Sequence, residues 1–378
     1  MPAQKKHIVW VLSNSSSAPY FNWFAKIASV RRDFELSFVC LLDKEPAMIE
    51  DMNKFGFPCY WIPYKTDNKK LELTAAFFRL IKLFRKIKPD VVHTHLFDDS
   101  LPGILAARFL NIPERIVTKG DASFHYFHTP RWSWLDRILN KAATDIIALS
   151  EESKIFILEK EHASPEKVKV VHHGLDIKEV TAQREEYHSA FINKWNLKDR
   201  FVIGSVARFI KWKGFDDIIQ VAEKVIKVKP DALFLFCGDG PEINSILHRI
   251  KELHLENNII LTGKISPEHM PSFYGIMDVF LHAARHEPFG LVIAEAMLNG
   301  VPVVSTPTGA AGDAITSGKQ GFLCEYGNIH LMADRILLLA DKDLRSEIGR
   351  NARLKAEELF SSERMYSDHL RLYGLSVK

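Results

Sequence analysis

The expected fold class is α/β, with two Rossmann-like, doubly wound parallel-sheet domains facing a cleft. Three observations lead there. Short apolar runs alternate with longer amphipathic stretches along the whole chain, the rhythm of β-α-β units. The 378 residues suffice for two domains of ordinary size, each with its own core. A polar, charged stretch over 176–200 interrupts the strand rhythm once, near the middle.

In the first half the candidate strands are 8–12, 36–41, 59–62, 91–94, 115–118, 146–148 and 168–172. The opening Lys5-Lys6-His7 followed by 8–12 imitates a signal peptide, but the apolar run is shorter than the roughly 7–15 residues such a region needs, and a first buried strand explains it better. In the second half the candidate strands are 202–206, 233–237, 259–261, 279–282, 301–305 and 322–324, with helical patterns such as 215–228 and 241–253 between them. The stretch 176–200 is expected to connect the domains, with a short helix of its own. The tail 364–378 is helical in pattern.

Composition narrows the function. Hydrophobic residues make up 47% and charged residues 26%, a soluble globular balance. The formal net charge of +3 argues against a strongly basic nucleic-acid binder, and no nucleic-acid partner is expected. Cys40, Cys59, Cys237 and Cys324 form no Cys-x-x-Cys pair, so neither a zinc site nor a disulfide framework is indicated and a reducing, cytoplasmic setting is the default. No apolar run approaches the ~20 residues of a membrane span.

The segment from His286 to Val304 says most about chemistry. Glu287 precedes Pro288, which pushes its backbone into an extended form. Pro288 suits the first helical position. Gly290 admits close approach of a ligand to the backbone, and first-turn amides near Phe289, Gly290 and Leu291 would form an anion site at a helix N-terminus. Glu295 lies further along an otherwise apolar helix, where a carboxylate needs hydrogen-bond partners, and two adjacent sugar hydroxyls would serve. Upstream, strand 202–206 ends in Ala207-Arg208-Phe209-Ile210-Lys211-Trp212-Lys213-Gly214. A cation past a strand end, a second five residues on, and a Gly opening a helix make an anion clamp. Arg208 binds as a fork and Lys213 as a mobile point charge.

These residues resemble the Glu-x7-Glu motif and the Gly-Arg-Leu…Lys-Gly signature, with Ala207 in place of the usual Gly, of glycosyltransferase family 4 (glycosyl transferases group 1). These are retaining enzymes of GT-B architecture. The resemblance covers nearly the whole chain and is strongest over 201–359. It implies that Glu287 holds donor sugar hydroxyls, that Glu295 grips the ribose, and that Arg208, Lys213 and the amides at Gly290 and Leu291 stabilise the departing diphosphate without a metal. It places the backbone of Lys264 and Ile265 at the nucleobase, the turn at Gly238 near the donor pocket, and loop 306–312 beside the donor sugar. It also implies that the C-terminal helix crosses back, giving an acceptor-side domain of 1–180 plus 362–378 and a donor-binding domain of 181–361.

On the acceptor side the chain departs from the family. Its first loop reads Ser13-Asn14-Ser15-Ser16-Ser17-Ala18-Pro19 where members carry Gly-Gly; Ser15 and Ser16 are candidate polar contacts. Gly120 stands where members have His, leaving His125, His128 or Asp121 as candidates near the reacting sugar. Val91-Val92-His93-Thr94-His95 resembles the family's Val-x-His-x-His strand. Its two histidines lack a third metal ligand at suitable spacing, so His95 is read as structural or cleft-lining and no metal is expected.

The resemblance implies transfer of a sugar from a nucleoside diphosphate sugar, used as substrate with no resident cofactor, to a saccharide or lipid-linked acceptor hydroxyl. It also implies cell-surface polysaccharide chemistry. Helix 69–88 is basic and amphipathic and is the candidate surface for peripheral contact with the inner face of a membrane. Rival readings are an epimerase on the same fold and an inactive nucleotide-sugar-binding or assembly subunit, the latter raised by Gly120. Asp341-Lys342-Asp343 falls between helices, outside the context a metal-binding Asp-x-Asp requires. Gly238-Asp239-Gly240 lacks a dinucleotide fingerprint's third Gly, since Ile243 stands there.

Overall fold

The computed structural model describes residues 5–13, 19–65, 68–120, 126 and 129–377. Ser15, Ser16, Asp121, His125 and His128 lie outside the described residues. Contacts divide the chain into two units, Met1–Gly174 with Ser362–Lys378, and Leu175–Ser361. The first boundary falls ahead of the 180/181 position expected. The Leu175 N–H donates to Phe360 O at 2.8 Å, which ties the start of the linker to the end of the second unit.

The first unit is built on β1 (His7–Ser13), β2 (Glu35–Leu42), β3 (Cys59–Pro63), β4 (Val91–Thr94), β5 (Glu114–Lys119), β6 (Asp145–Ala148) and β7 (Val168–Val170). They form one parallel sheet ordered β3-β2-β1-β4-β5-β6-β7. Strands covered by helices on both faces read as unbroken apolar runs, and β1 and β2 are buried almost throughout for that reason. The helix Ser362–Leu372 belongs to this unit. Just past it, the Tyr373 hydroxyl accepts from Trp10 Nε1 (2.9 Å) and meets His93 Nδ1 (2.8 Å).

The second unit holds β8 (Phe201–Val206), β9 (Ala232–Cys237), β10 (Ile259–Gly263), β11 (Val279–His282), β12 (Val303–Ser305) and β13 (Gly321–Leu323), ordered β10-β9-β8-β11-β12-β13 and again parallel. Its core gathers Ile203, Phe234, Phe236, Val279 and Leu281 from the sheet with Phe215, Ile218, Ile219, Ala222 and Val225 from the helix Phe215–Val228. The i, i+3, i+4 spacing of those helical positions puts them on one stripe. The chain reverses its strand order between β8 and β11. In open parallel sheets that point is where ligands lie, beyond the strand C-termini.

Three local expectations are corrected. Residues 176–200 hold two helices, Ile177–Val180 and Glu185–Lys194. The helix after β9 begins at Ile243 rather than Pro241. Pro288 does not open the helix that follows Glu287; that helix is Leu291–Leu298. Gly290 stands before it with φ +81°, a left-handed conformation that ends the preceding loop and resets the chain direction.

Candidate functional site

The candidate site is assembled from loops at the C-terminal ends of β8 and β11, neighbours at the strand-order reversal. The β8 loop carries Arg208 and turns through a short 3-10 segment, Lys211–Lys213, into Gly214. Gly214 has φ +74°, and a Cβ there would sit 2.1 Å from Ala283 O. Only glycine allows this loop to lie against the β11 loop so closely. The two loops are joined where the Arg285 N–H donates to Trp212 O (2.9 Å). On the far side, Thr306 Oγ1 donates to Ala284 O (2.7 Å), and the Ala310 N–H to Phe289 O (2.6 Å). The segment 283–290 is thereby braced from both neighbouring strands.

That bracing presents Glu287. Its Oε2 pairs with Lys213 Nζ, and the two side chains are 12% and 11% exposed, Lys213 first. His282 Nε2, at the end of β11, lies 3.3 Å from the same oxygen. Burial would raise the Glu287 carboxyl; the His282 contact and the Lys213 charge outweigh it and hold the group at about 2. Glu287 is thus a carboxylate at any physiological pH. Arg208 is exposed, and its guanidinium has no ion pair or hydrogen bond among the described residues.

The amides of Gly290, Leu291 and Val292 have no acceptor among the described residues. They stand at the N-terminus of Leu291–Leu298, where helix geometry leaves donors unpaired and the dipole favours negative charge. The Phe289 ring is 3% exposed and packs edge-on against Phe360 at 5.4 Å, so it anchors the loop.

Glu295 sits one helical turn further, accepting from the Tyr274 hydroxyl at 2.7 Å. Burial raises its carboxyl and the Tyr274 bond opposes that rise. Gly238, with φ +147°, lets β9 turn against Ala207, whose carbonyl would lie 1.9 Å from an added Cβ. Lys264 is exposed past β10 and pairs loosely with Asp239 at 3.3 Å; Ile265 follows it, partly buried. Arg208, Lys213, Gly238, Lys264, Ile265 and Glu287 all follow strand C-termini of one sheet.

In the first unit His95 is 4% exposed, stacked on His93 with ring centroids 4.4 Å apart, and Nδ1 lies 3.3 Å from Val11 O. Burial pushes it down to about 3, so its ring is neutral. It lines a cavity of about 210 Å³ with Ser13, Tyr20, Phe21, Thr118 and Gly120. His93 is held by Tyr373 and Thr118, and among the described residues no group of His, Cys, Asp and Glu is arranged to hold a metal.

Two residues escaped the sequence reading. His282 ends a strand that is otherwise apolar, a signal that was available. Tyr274 lies in a short helix ahead of β11, where nothing marked its hydroxyl.

Family comparisons agree with this geometry. The model described as Glycosyltransferase Family 4 matches residues 28–179, and that described as Glycosyl transferases group 1 matches 189–355. The capsular polysaccharide biosynthesis glycosyltransferase CapM of Staphylococcus aureus is 30% identical over 333 residues, covering 84% of this chain and 85% of that protein. The Escherichia coli UDP-Gal:alpha-D-GlcNAc-diphosphoundecaprenol alpha-1,3-galactosyltransferase is 24% identical over 340 residues, covering 85% of this chain and 84% of its own. Among solved structures, Anabaena HepE in complex with UDP superposes with a TM-score of 0.81 at 20% identity, covering 98% of this chain and 99% of that one. Two doubly wound parallel sheets with these loops define a GT-B glycosyltransferase. The chain belongs to glycosyltransferase family 4, and it is an enzyme of the transferase class.

Proposed function

We propose that the enzyme moves a sugar from a nucleoside diphosphate donor to a hydroxyl of a saccharide or lipid-linked acceptor, with retention at the anomeric carbon. The observation that carries this reading is the convergence at the β8–β11 reversal of a buried Lys213–Glu287 pair, an uncommitted Arg208 and the unbonded amides at Leu291 and Val292. The reaction separates sugar from diphosphate, so negative charge gathers on the leaving phosphate. Fixed positive groups lower that barrier by stabilising the charge as it forms. Arg208 and Lys213 supply full charges, and the amides supply oriented dipoles. Glu287, ionised and held, accepts from donor sugar hydroxyls. Glu295, steadied by Tyr274, accepts from the ribose.

In the front-face course that this reading adopts, the C1–O bond to the diphosphate breaks as the acceptor oxygen bonds C1 on the same face. The acceptor proton passes to the departing phosphate oxygen. No group of this chain is asked to act as nucleophile. His95, neutral at the wall of its cavity, and Ser15, Ser16, Asp121 and His125 are the acceptor-side candidates. That CapM is a capsular polysaccharide enzyme, and that the Escherichia coli relative's printed name holds a diphosphoundecaprenol sugar, supports a cell-surface polysaccharide role.

Among the described residues no helix is long and apolar enough to cross a membrane. The helix Lys69–Ile87 exposes Leu71 (62%) and Phe78 (64%) with Lys70, Lys82 and Arg85 around them, a surface suited to the cytoplasmic face of an anionic membrane. Thermal-shift screening against UDP-, GDP-, ADP- and TDP-sugars tests the donor assignment, since a bound nucleotide raises stability by mass action. Transfer to an acceptor panel follows, with anomeric configuration of the product read by NMR. Inversion would refute retention, donor conversion without acceptor would mark an epimerase, and binding without turnover would mark an inactive subunit.

A further inference from the structure

We infer that His282 is a positioning residue which, together with Lys213, pins one carboxylate oxygen of Glu287 and leaves the other turned to the ligand. Resting on the donor reading above, it concerns how the first Glu of the motif is aimed. The terminal torsion of a glutamate joins an sp³ to an sp² carbon and is broad, so a carboxylate held at one point still swivels. Two contacts from separate elements on a single oxygen restrict that freedom. Lys213 Nζ and His282 Nε2 both address Oε2. Oε1 has no partner among the described residues, and it is not shut away from solvent. It is the acceptor a sugar hydroxyl would meet.

His282 is placed for this by the sheet. It ends β11, in register with Ser305 of β12, and is 2% exposed. Its Nε2 is buried, has no hydrogen-bond partner, and lies within ion-pair reach of Glu287. A buried polar nitrogen is disfavoured unless something answers it, and among the described residues the acceptor within reach is this carboxylate. For the contact to attract, Nε2 must carry hydrogen, either as the neutral Nε2–H tautomer or as the imidazolium. The other groups facing Glu287 are the Lys213 ammonium and the backbone at Gly290, where an added Cβ would lie 2.9 Å from Glu287 Cγ. The carboxylate is thus fixed by charge on one side and by packing on the other, as a site that must bind in one geometry requires.

Full-length His282→Leu and His282→Gln variants test the inference. The probes are UDP and UDP-glucose, or the nucleoside diphosphate and sugar donor that the thermal-shift panel selects. In His282→Leu the affinity for UDP should be unchanged, while the extra affinity that the sugar adds falls about tenfold, the ratio expected when the unpinned carboxylate loses one hydrogen bond to the sugar. Donor KM should rise more than kcat falls. His282→Gln, whose amide donates, should recover part of the loss. A parallel loss for UDP and UDP-glucose, or no loss at all, overturns the inference and leaves the donor assignment standing. A ligand-free arm is ¹³C NMR titration of the Glu287 carboxyl, which should take its proton at higher pH in His282→Leu than in wild type. An unchanged titration overturns the inference whatever the donor proves to be. If the Leu variant does not fold, His282→Phe, an apolar ring of similar size, takes its place in both measurements.

Discussion

Lys213 and Glu287 meet as a nearly buried ion pair across two loops that 74 residues of sequence separate. The pairing is possible because Gly214 brings one loop against the carbonyl of Ala283 in the other. In the mechanism proposed above, Lys213 therefore has two tasks, neutralising Glu287 and attracting diphosphate, whereas Arg208 has one.

Lys213→Ala should separate from Arg208→Ala on stability. Removing Lys213 leaves a buried carboxylate with His282 alone, and breaking a buried pair typically costs roughly 3–5 kcal/mol. Glu287 is held near 2, below its ordinary 4.5, so its contribution to stability is present above pH 4.5 and lost as pH falls toward 2. In Lys213→Ala the folded carboxyl is lowered less, so this acid-dependent loss should be smaller. Thermal unfolding between pH 3 and 7 reads both effects.

Arg208→Ala should leave the unfolding temperature within error, because the side chain is exposed and bonds nothing among the described residues. Turnover should nevertheless drop about 10²-fold, the effect of removing one donor to a developing oxyanion. Steady-state kinetics at saturating donor checks it. Near-wild-type kcat would remove Arg208 from the diphosphate site.

The glycine joining the loops is open to the same logic. Gly214→Ala imposes a left-handed φ on a residue with a Cβ, a strain of roughly 1–3 kcal/mol before any clash. The Cβ would also lie 2.1 Å from Ala283 O, so the loop must move and carry Lys213 with it. Calorimetry should show a fall in unfolding temperature of several degrees, together with weaker donor binding.

Much of this was legible in the sequence, for identifiable reasons. Every candidate strand is present, the central ones most plainly, because parallel strands buried on both faces leave continuous apolar runs. Residue 288 shows where such reading fails. Pro at the first helical position is a sound local preference, but Phe289 is drawn into the core against Phe360, and Gly290 takes a left-handed turn, so the helix starts at Leu291. Side-chain pairing was further from reach. Lys213, Glu287, Tyr274 and Glu295 are each conspicuous or silent by themselves, and which atoms meet is decided by the strand-order reversal and by loop bracing. In the first unit His93 and His95 showed in the sequence as one strand's histidine pair, but nothing local marked His369, which joins them from the C-terminal helix.

Those histidines make the first unit acid-sensitive. Burial lowers His95 and His173 to about 3 and His369 to about 4, and pushes His93 well down as well. Each binds a proton more readily unfolded, near 6.5, than folded. Their neutral forms are compatible with the fold above pH 6.5, and stability falls as pH drops from there toward 3–4. Circular dichroism melts from pH 7.5 to 4.5 should show this loss. His369→Phe should make the slope shallower, as a buried ring that cannot titrate replaces one that does; an unchanged slope would mean that His369 is not among the groups responsible.

Tyr274→Phe addresses the second carboxylate. The Tyr274 hydroxyl is the partner given to Glu295, and it opposes the rise that burial imposes on that carboxyl. Deleting it leaves Glu295 a poorer, more readily protonated acceptor for ribose hydroxyls. Hydrogen bonds to charged groups are worth roughly 1.5–3 kcal/mol, so nucleoside diphosphate affinity should fall about tenfold or more. The loss should be greater at the more acidic of two pH values, because the variant's carboxyl retains its proton to higher pH. The sugar's added affinity should be unaffected, since Glu287 supplies it. Titration calorimetry with the diphosphate and the full donor at both pH values separates the two carboxylates. A loss confined to the sugar increment would assign Glu295 to the sugar instead of the ribose.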